Sequence, residues 1–213
     1  MAFNKKELDE SFKQIYIDGF TFKKEIMGYS WSKEYSNRKE IIIIGYRGYP
    51  DSYVVYTPTV DIYFPEVENI LEQYDLGEEN KSAFGKAFQD LQNIDYEKLA
   101  TEINSNETFS VVKNLVEDII EKGVKPFLFR FTTLNEIANF LADKKPVEIV
   151  PYIQGSILYP KTVLIMKLAN HADFKKRLIE FRNVLIENID ENKRYPILLE
   201  KYDNLFSEDL NAI

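Results

Sequence analysis

A chain of 213 residues, 45% of them apolar, is long enough for one large domain or two small ones and can bury a core without covalent staples. It has no cysteine and a single histidine, His171, which excludes disulfides, thiolate chemistry and cysteine- or imidazole-rich metal centres. The 35 acidic residues outnumber 27 basic ones, giving a formal charge of −8 that disfavours loose association with nucleic acid or anionic lipid.

The first seven residues lack the apolar core of a signal peptide. No run approaches the roughly 20 apolar residues needed to cross a bilayer, so a cytoplasmic setting without membrane association is expected. Asn4 and Glu7 have the spacing of a capping box, with Phe3 placed to pack on Leu8. Leu8, Phe12, Ile15 and Tyr16 then recur at helical spacing, and Asp18-Gly19 closes the element. Phe20, Phe22 and Ile26 suggest a first strand; Tyr29 and Trp31 open a segment whose type the pattern leaves open.

Residues 40–64 form the organising stretch: two β-rich runs on either side of the breakers from Gly48 to Ser52, the signature of a hairpin. Ile42, Ile44 and Tyr46 share one face of the first run, opposite Ile41, Ile43 and Arg47, which suits a central strand. The second run puts Val54, Tyr56, Val60, Ile62 and Phe64 on one parity and Val55, Thr57, Thr59, Asp61 and Tyr63 on the more solvated one. Pro58 must break it or sit at a sheet edge.

Pro65 suits the first turn of a helix with Val67, Ile70, Leu71 and Tyr74 on its apolar side and Gly77 as its stop. Phe84, Ala87, Phe88 and Leu91 read as a short helix, and residues 100–107 as a candidate subdomain boundary in an otherwise single domain. An amphipathic helix follows from Phe109 to Ile120, ended by Gly123. Phe127, Phe129 and Phe131 alternate as in a strand. Thr133 and Glu136 box a helix that stops before Pro146. Residues 147–153 read as extended. Thr162, Val163 and Ile165 favour a strand over 159–168. Asn170 is expected to cap a helix carrying Phe174, Leu178, Phe181, Leu185 and Ile189, and Ile197, Leu198, Leu199, Tyr202, Leu205 and Phe206 to fold back onto the body. The fold class expected is α+β, with a mixed or antiparallel sheet built around the hairpin and packed against several amphipathic helices.

Candidate function rests on two features. Asp61, Glu66, Glu68, Glu72, Asp75, Glu78 and Glu79 fall within 61–80 with no basic residue between them, and Glu68, Glu72 and Asp75 share one side of the helix. A solvated helix face is the ordinary explanation of such a run, and a surface steering a basic protein partner is the functional alternative. The second feature is aromatic: Tyr46, Tyr49, Tyr53 and Tyr56 surround Arg47, with Trp31 upstream, the residue types that anchor protein interfaces. The glycines of 44–49 lead into a turn rather than a helix, so they form no dinucleotide fingerprint. Asp61, Glu66 and Glu68 lack the spacing of a cation loop, and no cofactor or metal is expected. His171, with Asp173 beside it, has no nucleophile motif and reads as a helix-start histidine. Lys175, Lys176, Arg177 and Arg182 alternate with acids as on a solvent face.

In composition alone the chain resembles small acidic, cysteine-free inhibitors such as bacterial immunity proteins, which implies a non-enzymatic, inhibitor-like interaction domain with a basic partner. Its binding residues would be Glu68, Glu72, Asp75, Trp31, Tyr46, Arg47, Tyr49 and Tyr53. The alternatives are a small-molecule-binding protein or metal-independent enzyme with a pocket between sheet and helices, and a structural dimer.

Overall fold

The computed structural model describes residues 4–76, 84–89, 91–153, 155 and 157–212. In chain order its elements are α1 (Lys5–Lys13), β1 (Thr21–Glu25), β2 (Gly28–Glu34), β3 (Lys39–Gly48), β4 (Tyr53–Val55), β5 (Thr59–Tyr63), α2 (Pro65–Gln73) and β6 (Phe84–Ala87). There follow α3 (Tyr96–Leu99), α4 (Asn106–Ile119), a π-helical turn (Ile120–Val124), α5 (Lys125–Arg130), α6 (Leu134–Leu141) and α7 (Pro146–Ile149). The last are α8 (Leu158–Leu168), α9 (Phe174–Glu187), α10 (Tyr195–Leu205) and α11 (Ser207–Asn211). With half its residues helical and 18% in an antiparallel sheet, the chain is α+β, as its patterning implies. It divides into two compact units: Met1–Ile62 with Gly85–Arg130, and Tyr63–Phe84 with Phe131–Ile213. Residues 100–107 lie inside the first.

The first unit is built on the sheet, ordered β1-β2-β3-β5-β6 with β4 also paired to β3. β3 is therefore central, and it alternates as expected: Ile42, Ile44 and Tyr46 are buried while Ile41 and Ile43 are half covered. Pro58 does break the second run, but the irregular residues 56–58 also shift its phase. Val55 is buried and Tyr56 is 51% exposed, the reverse of the expected parity, before Val60 and Ile62 turn inward again. The open edge at β1 carries Lys23 and Lys24, charges that discourage pairing with another chain. The segment whose type the pattern leaves open is β2, where Trp31 is buried and its indole N–H donates to the Ile15 carbonyl at 3.1 Å.

α1 begins at the expected Asn4–Glu7 box but ends at Lys13, with Gln14 as C-cap, short of Asp18-Gly19. Phe3 lies outside the described residues. Three further expectations in this unit are corrected. Residues 84–87 are strand β6, not a helix: an added Cβ on Gly85 would lie 2.4 Å from the Val60 carbonyl oxygen, so this glycine admits the neighbouring strand. Gly123 does not end α4. The helix passes through the π-turn into α5, and a Cβ at Gly123 would meet Phe88 and Leu91 at 2.7 Å, so the glycine serves close packing. The strand expected at 127–131 is consequently helical as far as Arg130. Val116, Ile120, Val124, Phe127 and Leu128 make one buried helical stripe, while Phe129 is 87% exposed.

The second unit is helical around α8, against which α2, α6, α7 and α9 pack. Here the expected strand over 159–168 is overturned. Pro160 through Met166 are buried on every side, so the helix has no amphipathic period to read, and burial overrides the β-branched preference. The extended reading of 147–153 fails too, because Pro146 opens α7. Thr133 and Glu136 form the expected capping box. Asn170 ends α8 rather than capping α9: it is left-handed (φ 50°), with its N–H donating to the Lys167 carbonyl and that of His171 to the Met166 carbonyl. Asp173 stands at the start of α9. The tail packs inward through Leu198, Tyr202, Leu205 and Phe206, which are buried, whereas Ile197 is 58% exposed.

α2 ends the same way. Asp75 is left-handed (φ 52°), its N–H donating to the Glu72 carbonyl and that of Leu76 to the Leu71 carbonyl, so the helix stops before the expected Gly77, which lies outside the described residues. A side chain is disfavoured in this conformation and glycine is not. Asp75→Gly is therefore expected to raise stability by about 0.5–1 kcal/mol, measured as a higher urea midpoint at unchanged slope.

Candidate functional site

Of Glu68, Glu72 and Asp75, the second unit places two at the surface, Asp75 just past the end of α2. Glu72 and Asp75 are exposed, as is Glu66 of the first turn, but Glu68 is largely covered and forms an ion pair with the buried Lys161 of α8. Its carboxylate is committed inside the unit. The Asp75 carbonyl accepts from Lys201 Nζ at 2.6 Å. Glu78 and Glu79 lie outside the described residues.

The basic run of α9 is likewise partly structural. Arg177 is 5% exposed, and its guanidinium donates to the carbonyls of Ala142 and Lys144, the orphaned acceptors at the end of α6. Arg182 makes two 2.8 Å bonds to the Asp203 carboxylate on α10. His171 Nδ1 accepts the Asp173 backbone N–H at 3.1 Å, so that nitrogen serves the turn between α8 and α9. Among the described residues no three His, Asp or Glu side chains converge as metal ligands.

The first unit gathers the hairpin aromatics but divides them between core and surface. Tyr46 is 8% exposed and stacks on Tyr29 at 5.6 Å, and Trp31 is 1% exposed, so both are packed in the core. Tyr53 is half-buried, edge-on to Tyr46 at 5.9 Å. Arg47 and Tyr49 stand at the surface, the guanidinium 5.3 Å from the ring centroid.

Beside them lies a cluster that residue type alone does not single out. Glu25 pairs with Gly28, so Ile26 and Met27 are the whole turn between β1 and β2. They are 94% and 68% exposed, where such turns usually carry Gly, Asn or Asp. Gly45 of β3 joins this turn to Tyr56. The Met27 carbonyl accepts the Tyr46 N–H, the Gly45 carbonyl accepts the Tyr56 N–H, and the Tyr56 ring lies across Gly45 where a Cβ would come within 2.9 Å. An apolar pair at a tight turn was the available sequence signal. Ile26, Met27, Tyr56, Arg47 and Tyr49 thus share one end of the sheet.

Under this end sits a charged network. Asp9 of α1 accepts from Lys5, from Lys24 of β1 and from the Tyr29 hydroxyl at 2.8 Å. Burial pushes its pKa up, but the donors from Lys24, Lys5 and Tyr29 outweigh this and hold the carboxyl below its ordinary range. Burial and the same Asp9 bond push the Tyr29 hydroxyl far upward, so it remains a neutral donor. Lys5 Nζ also lies over the Tyr46 ring at 4.0 Å, and the Tyr46 hydroxyl donates to the Ile26 carbonyl at 3.4 Å. The turn bearing Ile26 and Met27 is thereby tied to α1.

No helix among the described residues is long and apolar enough to cross a membrane. No protein-family model, curated protein or solved structure matches the chain.

Proposed function

We propose that the chain is a non-enzymatic protein-interaction module that engages a basic protein through the sheet end formed by Ile26, Met27, Tyr56, Arg47 and Tyr49. The observation carrying this reading is the exposure of Ile26 (94%), Met27 (68%) and Tyr56 (51%) around Gly45, an apolar group with arginine and tyrosine at its margin. Burying such a group is favourable at about 25 cal/mol per Å², and aromatic and arginine anchors dominate interface energies. The charge of −8, with Glu66 and Glu72 exposed on α2 and Asp75 exposed just past its end, supports a basic partner because complementary charge accelerates encounter. Glu68, Trp31 and Tyr46 are left out of the contact surface because each is packed inside its unit. An inhibitor that occludes a basic protein is the narrower form of this reading, supported by composition.

The test is affinity capture from native extract at low and moderate salt, using the wild-type chain, Ile26→Asp/Tyr56→Ser, and Glu66→Lys/Glu72→Lys. One stoichiometric basic protein is expected, lost with the first variant and released at lower salt with the second. Once purified, that protein should bind Ile26→Asp/Tyr56→Ser at least tenfold more weakly by calorimetry. Equal affinity for that variant would remove the sheet end from the interface, and capture of no partner would overturn the reading.

A further inference from the structure

The second unit contains an open groove of about 300 Å³ that the protein-interaction reading does not use, with Val147 73% and Val150 49% exposed along it. It lies among helices, not against the sheet. Val147 of α7, the following Val150, Leu158 of α8 and Leu198 of α10 form its apolar lining. Its volume is roughly ten times the ~30 Å³ share of a water molecule, which admits a ligand of about ten non-hydrogen atoms.

Tyr159, Asn192, Arg194 and Tyr195 complete the lining, and no Asp or Glu is among the described lining residues. Asn192 shapes the rim: its side-chain oxygen accepts the Arg194 N–H at 2.9 Å and its carbonyl accepts the Tyr195 N–H at 2.9 Å. Tyr159 is fixed on its other side by an edge contact with Phe181 at 5.2 Å. Burial, reinforced by the neighbouring Tyr195, pushes the Tyr159 hydroxyl pKa upward, so it stays a neutral hydrogen-bond donor. The Arg194 guanidinium makes no ion pair among the described residues, in contrast to Arg177 and Arg182 of α9.

An exposed arginine and two tyrosines lining one apolar groove are complementary to one anionic head on an apolar body. Guanidinium and carboxylate match as planar, two-point partners. A single arginine on a chain of charge −8 favours a monoanion over a phosphate dianion. We propose that this groove binds an amphipathic monocarboxylate, a free aliphatic or aromatic acid, with its chain against Val147, Val150, Leu158 and Leu198 and its carboxylate on Arg194. The tyrosine hydroxyls supply the second polar contact. The site is independent of the sheet end, and Ile26→Asp/Tyr56→Ser leaves it intact.

The experiment is calorimetric titration of the full chain with octanoate, octan-1-ol and octylammonium, which share one apolar body and differ in head charge. Octanoate is expected to bind saturably at one site and more tightly than either analogue. Arg194→Gln should weaken it about tenfold while leaving octan-1-ol unchanged, the worth of one charge-assisted hydrogen bond. Val150→Trp fills the groove from a position 49% exposed, so it should abolish octanoate binding with the circular dichroism spectrum and melting temperature preserved. Absence of saturable octanoate binding up to about 5 mM, equal affinity for octan-1-ol, or unchanged affinity in either variant would overturn the proposal.

Discussion

Exchanging Lys161 for methionine is expected to destabilise the chain by about 3–5 kcal/mol, a large share of the roughly 5–15 kcal/mol that holds a domain folded. Lys161 is 2% exposed in the first turn of α8, and Glu68 of α2, whose side chain is 14% exposed, is its ion-pair partner. Removing the ammonium leaves a carboxylate away from water without its counter-charge, and this desolvation penalty dominates the loss. The companion Lys161→Met/Glu68→Leu replaces both charges by apolar groups of similar size and is expected within about 1 kcal/mol of the wild type. Urea unfolding followed by far-ultraviolet circular dichroism reads both, since α2 and α8 are helical. If the double variant is as unstable as Lys161→Met, the pair does not act as a unit. The same variants bear on the interaction reading: a Glu68 that matters through Lys161 should leave partner affinity unchanged in the folded double variant.

What the sequence revealed depended on whether the physical signal was local. The Asn4–Glu7 and Thr133–Glu136 boxes were legible because a cap and its partner lie three residues apart and act alone. The hairpin was legible because β3 alternates between a buried face and a half-covered one. Pro58 announced a break but not its consequence, since the phase after a break depends on how many residues the irregular segment absorbs. The helix α8 was illegible for a different reason. Burial on every side removes the helical period, leaving only β-branched propensity, a bias of a few tenths of a kcal/mol that packing overrides. Gly85 and Gly123 carry the local signals of a helix constituent and a helix stop, although each is explained by an approach from a distant segment.

The candidate site was legible to a similar degree. Tyrosine and arginine around the hairpin do fall at one end of the sheet, the end taken up in the proposal. Residue type does not report which face a side chain occupies, so Trp31 and Tyr46 are packed while Arg47 and Tyr49 stay outside. Charge behaves the same way. Lysine and arginine are rarely buried unless paired, and nothing within α8 or α9 distinguishes Lys161 and Arg177 from solvated neighbours. Their partners, Glu68 and the end of α6, lie far off in the chain.

Asp9→Asn is expected to lower stability at neutral pH by about 1–3 kcal/mol, and the loss should shrink as the solution is acidified. Asp9 binds Lys24, Lys5 and the Tyr29 hydroxyl together, and asparagine keeps the shape while removing the charge. The folded chain holds this carboxyl below 3.8, its ordinary value, so over the interval between the two pKa values the unfolded chain binds more protons. The stabilisation is therefore complete above about pH 4–5 and is lost as pH falls through the folded pKa. Urea midpoints of wild type and variant should converge as pH falls below 3.8 and through the folded pKa, whereas a difference independent of pH would show that Asp9 acts by shape alone. The same network supports the proposed contact surface, because Lys5 lies against Tyr46 and Tyr46 holds the Ile26 carbonyl. Partner affinity should accordingly weaken in Asp9→Asn at neutral pH, although Asp9 stands beneath the turn and not among the proposed contact residues.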